Sequence, residues 1–191
     1  MMKRIIPLWA CALIACGGQV QTPSAGVVDS IFPVAEEMRR FKAARHDVRA
    51  RNLAHGASSR DQLVHRFITA LERADTAALR GLIIDASEFI DLYYPSSIFA
   101  RPPYHQDPEL RWFLIQENSN KGLTRLLRRF AGQPTGFRGY HCAPEPTIEG
   151  KNKVWDRCRV EWGASSAPVR AFSTIIERDG RFKILSYAND L

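Results

Sequence analysis

The sequence predicts an α+β domain in which helices come first and then cover one face of an antiparallel sheet of about four strands. Three observations carry this. From Val34 to Phe130 apolar side chains recur at helical spacing in several separate runs. After Gly136 the period changes to two, with Val154, Cys158, Val160 and Trp162 alternating against Trp155, Arg157, Arg159 and Glu161, and Asp156 the exception on the apolar side. Near the end, Asp179-Gly180 stands between Ile176-Glu177-Arg178 and Arg181-Phe182-Lys183, the strongest short hairpin signal a sequence offers.

The first element is a targeting signal. Lys3 and Arg4 precede an apolar stretch from Ile5 to Ile14, too short and too early to span a membrane. Leu13-Ile14-Ala15-Cys16 resembles the lipobox of bacterial lipoproteins, whose signal is cut before the cysteine and whose thiol is acylated. The resemblance implies a signal peptide over 1–15, lipid attachment at Cys16, and a chain held in the cell envelope outside the cytoplasm, on the outer membrane facing the periplasm or at the cell surface. An ordinary secretory signal cut elsewhere is the alternative. Residues 16–32, which include GGQVQTPSAG, read as a flexible tether.

Loss of Lys3 and Arg4 lowers the formal charge from +7 to +5. A mildly basic protein invites a nucleic-acid reading. Export removes nucleic acid as a partner and leaves anionic lipid or an envelope polymer as the electrostatic one.

Residues 33–54 read as a basic amphipathic helix, with Val34, Met38, Phe41 and Val48 on a narrow apolar stripe among six basic residues from Arg39 to Arg51. Such a helix either lies on anionic lipid beside the anchor or packs on the domain by its narrow face. The domain proper occupies 58–191. Ser59 and Gln62 have capping-box spacing, and Leu63, Phe67, Ala70, Leu71 and Ala74 hold one face of the helix that follows. Asp75 caps a short helix carrying Leu79, Leu82 and Ile83, and a third short segment runs from Ser87 to Tyr93, ahead of Pro95. Residues 94–106 read as a loop with exposed aromatics. Asp107-Pro108 starts a helix with Leu110, Phe113 and Leu114 as its buried side, and a second helix with Leu123, Leu127 and Phe130 ends before Gly132.

In an oxidising compartment Cys142 and Cys158 are disulfide candidates. They lie equidistant from Gly150, inside the turn-like Glu149-Gly150-Lys151-Asn152. A regular hairpin centred there sets Cys142 opposite Cys158, Tyr140 opposite Val160 and Arg138 opposite Trp162. Closing this loop contributes roughly 3 kcal/mol in the chain-entropy model; two buried thiols are the alternative. His141 and Cys142 project to opposite strand faces, so no metal site is expected.

ALERADTAALRGLI (residues 70–83) resembles the N-terminal helical signature of NTF2-like domains, and ERDGRFKILSYAND (177–190) is similar to their last hairpin. The resemblance implies a curved sheet wrapped around helices to leave a conical cavity, in a family that holds ketosteroid-isomerase-like and SnoaL-like enzymes beside many binding modules. An isomerase of that kind needs a carboxylate or imidazole base and an acidic donor against an apolar wall. Asp91 or His105 as base, with Tyr93, Tyr94 or Tyr140 as donor, are the side chains available, and none matches a catalytic position of the family. Asp91, Tyr94, His105, Tyr140 and Trp162 are therefore candidates for ligand binding. There is no nucleophile elbow around Ser96-Ser97, no phosphate-cradling glycine loop and no zinc motif, and no cofactor is expected. Three functions follow: a lipid-anchored module that binds a small apolar ligand or an envelope protein, an isomerase-like enzyme, or an envelope scaffold held on lipid by its basic helix.

Overall fold

The structure, a computed structural model, describes residues 32–46, 49–163, 165 and 167–190. Cys16, the signal and most of the tether lie outside the described residues. Helices and antiparallel sheets together make up the fold. Helix α1 spans Val34–Arg45, α2 Arg60–Glu72, α3 Thr76–Gly81, α4 Ala86–Glu88 and α5 Pro108–Phe130. Strands β1 (Phe137–His141) and β4 (Arg159–Trp162) pair as one sheet. Strands β2 (Thr147–Glu149), β3 (Asn152–Trp155), β5 (Ile175–Arg178) and β6 (Arg181–Ile184) form a second sheet in that order.

Local chemistry sets the helix starts as expected. Ser59 Oγ accepts from Gln62 N at 3.0 Å, Asp75 Oδ1 from Ala78 N at 2.8 Å, and Asp107 Oδ1 from Glu109 N at 2.8 Å. Gln62 reaches one residue farther back than a capping box requires, its Oε1 accepting from Ser58 N at 2.8 Å. Helix α1 is shorter than the 33–54 expected: it stops at Arg45, and His46 takes the left-handed conformation that ends helices (φ 51°). The segment after α4 does not stop at Tyr93. It tightens through a π turn over Phe89–Tyr93 into 3₁₀ turns over Tyr94–Ser96 and Ile98–Ala100, with Pro95 inside the first turn of its element, where it costs no hydrogen bond.

The largest departure is α5, one helix of 23 residues where two were expected. Its buried face is Trp112, Ile115, Ser119, Gly122, Leu123, Leu126 and Phe130, while Leu110, Phe113 and Leu114 point outward. Ser119 and Gly122 do not interrupt it because the chain's end packs on them. Ser119 Oγ accepts from Tyr187 N at 3.2 Å, and a Cβ at Gly122 would lie 2.3 Å from Ala188 O.

The sheet is covered on both faces, not one. Ile175 and Ile184 pair across β5–β6 and face a core built from α2, α5 and β4. There Phe67 meets Phe172, Tyr187 and Trp162 at ring distances of 5.5, 5.9 and 6.4 Å. Ile176 and Leu185, one residue on, face a second core under α1 and the 84–94 segment. Phe89 is its hub, with Trp112, Tyr94, Phe41 and Tyr93 at 5.1, 5.6, 5.7 and 6.2 Å. Consecutive apolar pairs, Ile175-Ile176 and Ile184-Leu185, are what two-sided burial requires of a strand. The outer edge of β6 is also closed, since Ala57 exchanges backbone bonds with Phe182 while Leu82 and Ile84 do so with Ile184.

The two hairpins confirm the turn signals. Asp179 and Gly180 both have positive φ (50° and 69°), with Arg178 opposite Arg181, as a two-residue turn demands. Around Gly150 the register pairs Glu149 with Asn152, whereas Tyr140 pairs with Val160 and His141 with Arg159. The two halves of this long hairpin are thus one residue out of step. Trp162 lies opposite Phe137 rather than Arg138, because the register shifts again between Phe137 and Gly139.

Candidate functional site

Cys142 and Cys158 are joined as a disulfide at the base of the long hairpin, the expected pair, in the register of Tyr140 with Val160 and His141 with Arg159 and not in that of the tip. The other candidate side chains are each consumed by the fold. Asp91, in the π turn, accepts from Lys42 Nζ and, at 2.9 Å, from Ala50 N, so its carboxylate clips α1 and the chain after it to the second core. Tyr94 is fully buried and donates to Gln106 O at 2.7 Å, which ties the loop to its own start; burial pushes its hydroxyl above the usual phenol range. His105 Nε2 lies 2.9 Å from Glu37 Oε2 and fastens the same loop to α1.

Tyr140 and Trp162 belong to the opposite side of the sheet. Tyr140 donates to Asp61 Oδ1 at 2.6 Å, and burial followed by that bond pushes its hydroxyl up to about 12. Trp162 is a core side chain, its ring 4.2 Å from that of Phe130 and its Nε1 without a partner among the described residues. Asp91, Tyr94 and His105 therefore sit with the second core, Tyr140 and Trp162 with the first.

The structure assembles polar groups that the sequence did not reveal. Glu149 is buried at the end of β2 with Oε2 unpartnered, and burial, then the charge of Asp156, raises its carboxyl above the ordinary range. Tyr93 is pushed up to about 12 by burial and by the charge of Glu149, against the opposing pull of Arg111. Nothing in the spacing of Tyr93, Arg111 and Glu149 announced this meeting. Among the described residues no three His, Cys, Asp or Glu side chains group to hold a metal ion, and no helix is long and apolar enough to cross a membrane.

Outside the cores the surface carries one apolar feature that the sequence placed on the wrong side. Leu110, Phe113 and Leu114 are 50, 56 and 36 % exposed, and Tyr104, in the loop that enters α5, is 62 % exposed. Leu110, Phe113 and Leu114 lie on the face of α5 opposite Trp112, Ile115 and Ser119. Farther along that outward face come Lys121, Arg125 and Arg128, all exposed. The signal was available: the stripe Trp112, Ile115, Ser119, Leu123, Leu126, Phe130 runs the full helix at i+3, i+4 spacing, and a helix buries one stripe.

Comparison with known protein families, with curated proteins and with solved structures finds nothing that matches this chain.

Proposed function

We propose that this chain is a lipid-anchored binding module of the cell envelope, tethered through Cys16, whose docking surface is the outward face of α5 with Tyr104. The observation that carries it is the fate of the polar candidates. Asp91, Tyr94, His105 and Tyr140 are each spent on a bond that holds two segments together, while four large apolar side chains at 104–114 are left facing water. The order of elements, a long helix and a short one followed by antiparallel strands, supports the NTF2-like reading. In place of an open cone, Phe67, Trp162, Phe172 and Tyr187 fill the space between α2 and the sheet, so the ligand surface lies outside.

The occupant is a segment of another envelope protein carrying apolar and then acidic side chains. Charge complementarity argues this: the outward face of α5 begins with Leu110, Phe113 and Leu114 and continues into Arg125 and Arg128, for which no acidic partner is found among the described residues. An isomerase reading has its own observation, the raised carboxyl of Glu149 near the raised phenol of Tyr93. Both groups are closed off from solvent, which leaves a substrate no access.

The test is a photo-crosslinking residue placed at Phe113 of the full-length chain in a bacterial envelope, with the same residue at the exposed Ile148 as control. A discrete protein adduct from position 113 alone, lost when Arg125 and Arg128 are replaced by Glu, supports the reading. Adducts to lipid alone point to the membrane-scaffold reading instead. No adduct, or identical adducts from both positions, refutes the docking surface.

A further inference from the structure

A cavity of about 400 Å³ lies where the link between β3 and β4 meets the 170–174 segment. Three arginines line it: Arg157 from the link, Arg159 from the start of β4, and Arg170. They come from separate stretches of backbone, and the fold brings two of them together against electrostatic preference. Val160 and Val169 form an antiparallel bridge, with each N donating to the other's O at 2.8 Å. That register places Arg159 and Arg170 directly opposite on one face, a like-charge pair that costs stability when nothing lies between.

The charges are not cancelled by the protein. Arg170 has a carboxylate partner in Asp190 at 3.0 Å, but Arg157 and Arg159 make no ion pair or hydrogen bond among the described residues. Asp156 is the one acidic side chain in the lining, and its Oδ1 already accepts from Thr174 Oγ1 at 2.9 Å. With Arg170 answered by Asp190, the cations of the lining left without a partner among the described residues are Arg157 and Arg159. Arg157 also holds a left-handed backbone, φ 55°, which non-glycine residues adopt at a cost and which collects at ligand sites.

We propose that this cavity is a binding site for a phosphate monoester dianion. Such a group carries about two negative charges and accepts bidentate guanidinium bonds, which matches the two unpaired arginines, Arg157 and Arg159, and the chemistry of the lining. The volume exceeds what phosphate alone fills and falls within the range of small-molecule sites, about 300–1,000 Å³. The space left over accommodates a sugar-sized substituent on the phosphate. Free phosphate, a phosphorylated sugar and a phosphorylated envelope glycan share this chemistry. The site is on a different part of the fold from the α5 surface, and it stands whether or not that surface docks a partner.

The test uses the full-length oxidised chain in neutral detergent and phosphate-free buffer, with calorimetric titration of inorganic phosphate, glucose 6-phosphate and glucose. Saturable binding of both phosphates with none of glucose is expected, and glucose 6-phosphate binding more tightly identifies an esterified ligand over the free ion. Arg159→Gln and Arg157→Gly are each expected to weaken binding about tenfold or more, with the far-ultraviolet circular dichroism unchanged. Arg157→Gly relieves the backbone strain, so its loss of affinity is not a folding defect. Arg80→Gln, on α3, serves as control and leaves affinity unchanged. Absence of saturable phosphate binding, or equal weakening by Arg80→Gln, overturns the proposal.

Discussion

Lys183 and Glu88 form an ion pair inside the second core, at 2.8 Å with side chains 6 and 1 % exposed. Replacing Lys183 by Met keeps the apolar stem's bulk and removes the charge. Glu88 is then a carboxylate in a closed site with only its backbone donors, Ala54 N at 2.6 Å and Asp85 N at 2.9 Å. Breaking a buried pair on one side costs about 3–5 kcal/mol. The two remaining amide bonds place this case at the lower end, about 3 kcal/mol. With a urea dependence of about 2 kcal/mol per M, the unfolding midpoint, followed by tryptophan fluorescence, should fall by about 1.5 M. Glu88→Gln in the Lys183→Met background removes the stranded charge while keeping an acceptor, so the double variant should recover at least about 1 kcal/mol relative to additivity. A midpoint shift below about 0.25 M for Lys183→Met, or strict additivity in the cycle, would refute the claim that the pair is closed off and coupled.

Three further expectations rest on other parts of the fold. Replacing Cys142 and Cys158 together by Ser should cost about 3 kcal/mol, read as a lower midpoint than that of the oxidised parent, and an unchanged midpoint would remove the disulfide from the stability account. Gly122→Ala should destabilise by about 1–3 kcal/mol despite alanine's higher helix propensity, because the new Cβ would meet the backbone of Ala188; thermal melts decide, and a stabilised variant would mean the contact is slack. The Glu149 carboxyl is raised by burial and Asp156 from an ordinary value near 4.5, so the folded state holds its proton longer than the unfolded one. Stability therefore declines as pH climbs from about 4.5 through the raised value, and Glu149→Gln should flatten that decline and be the more stable protein at pH 7.

Much of the framework was legible because it is local. Ser59, Asp75 and Asp107 each cap a helix within three residues of themselves, and Asp179-Gly180 dictates its own turn. The Cys142–Cys158 pairing was legible from a count about Gly150 that holds for the base of the hairpin, although its tip turns on Gly150-Lys151. The single helix α5 was not, because Asn118-Ser119-Asn120 and Gly122 are poor helix formers on propensity. Their reason is tertiary: small side chains at 119 and 122 admit the backbone of Tyr187 and Ala188, some 68 residues away in the case of the Ser119 bond. The partners of the candidate side chains were hidden for the same cause. Asp91 and His105 carry chemistry that looks available, and the partners that occupy them, Lys42 and Glu37, lie 49 and 68 residues distant. Two-sided burial of the sheet could have been read from Ile175-Ile176 and Ile184-Leu185, which break strict alternation in the direction of more apolar surface.

The long hairpin carries two separate addresses for the same pair of strands. Its tip is set by the Gly150-Lys151 turn, which fixes Glu149 against Asn152, and its base by a covalent bond, which fixes Cys142 against Cys158. Were the tip's phase to extend to the base, Cys158 would fall opposite Ala143, and one of the two base strands, β1 or β4, would exchange its inward and outward faces relative to the other. Specification is therefore modular: an error at one end is not inherited by the other. A residue inserted at Gly150-Lys151 would be absorbed before it reached Val160 and Trp162, leaving the base of the hairpin as a fixed platform beneath a tip free to vary in length.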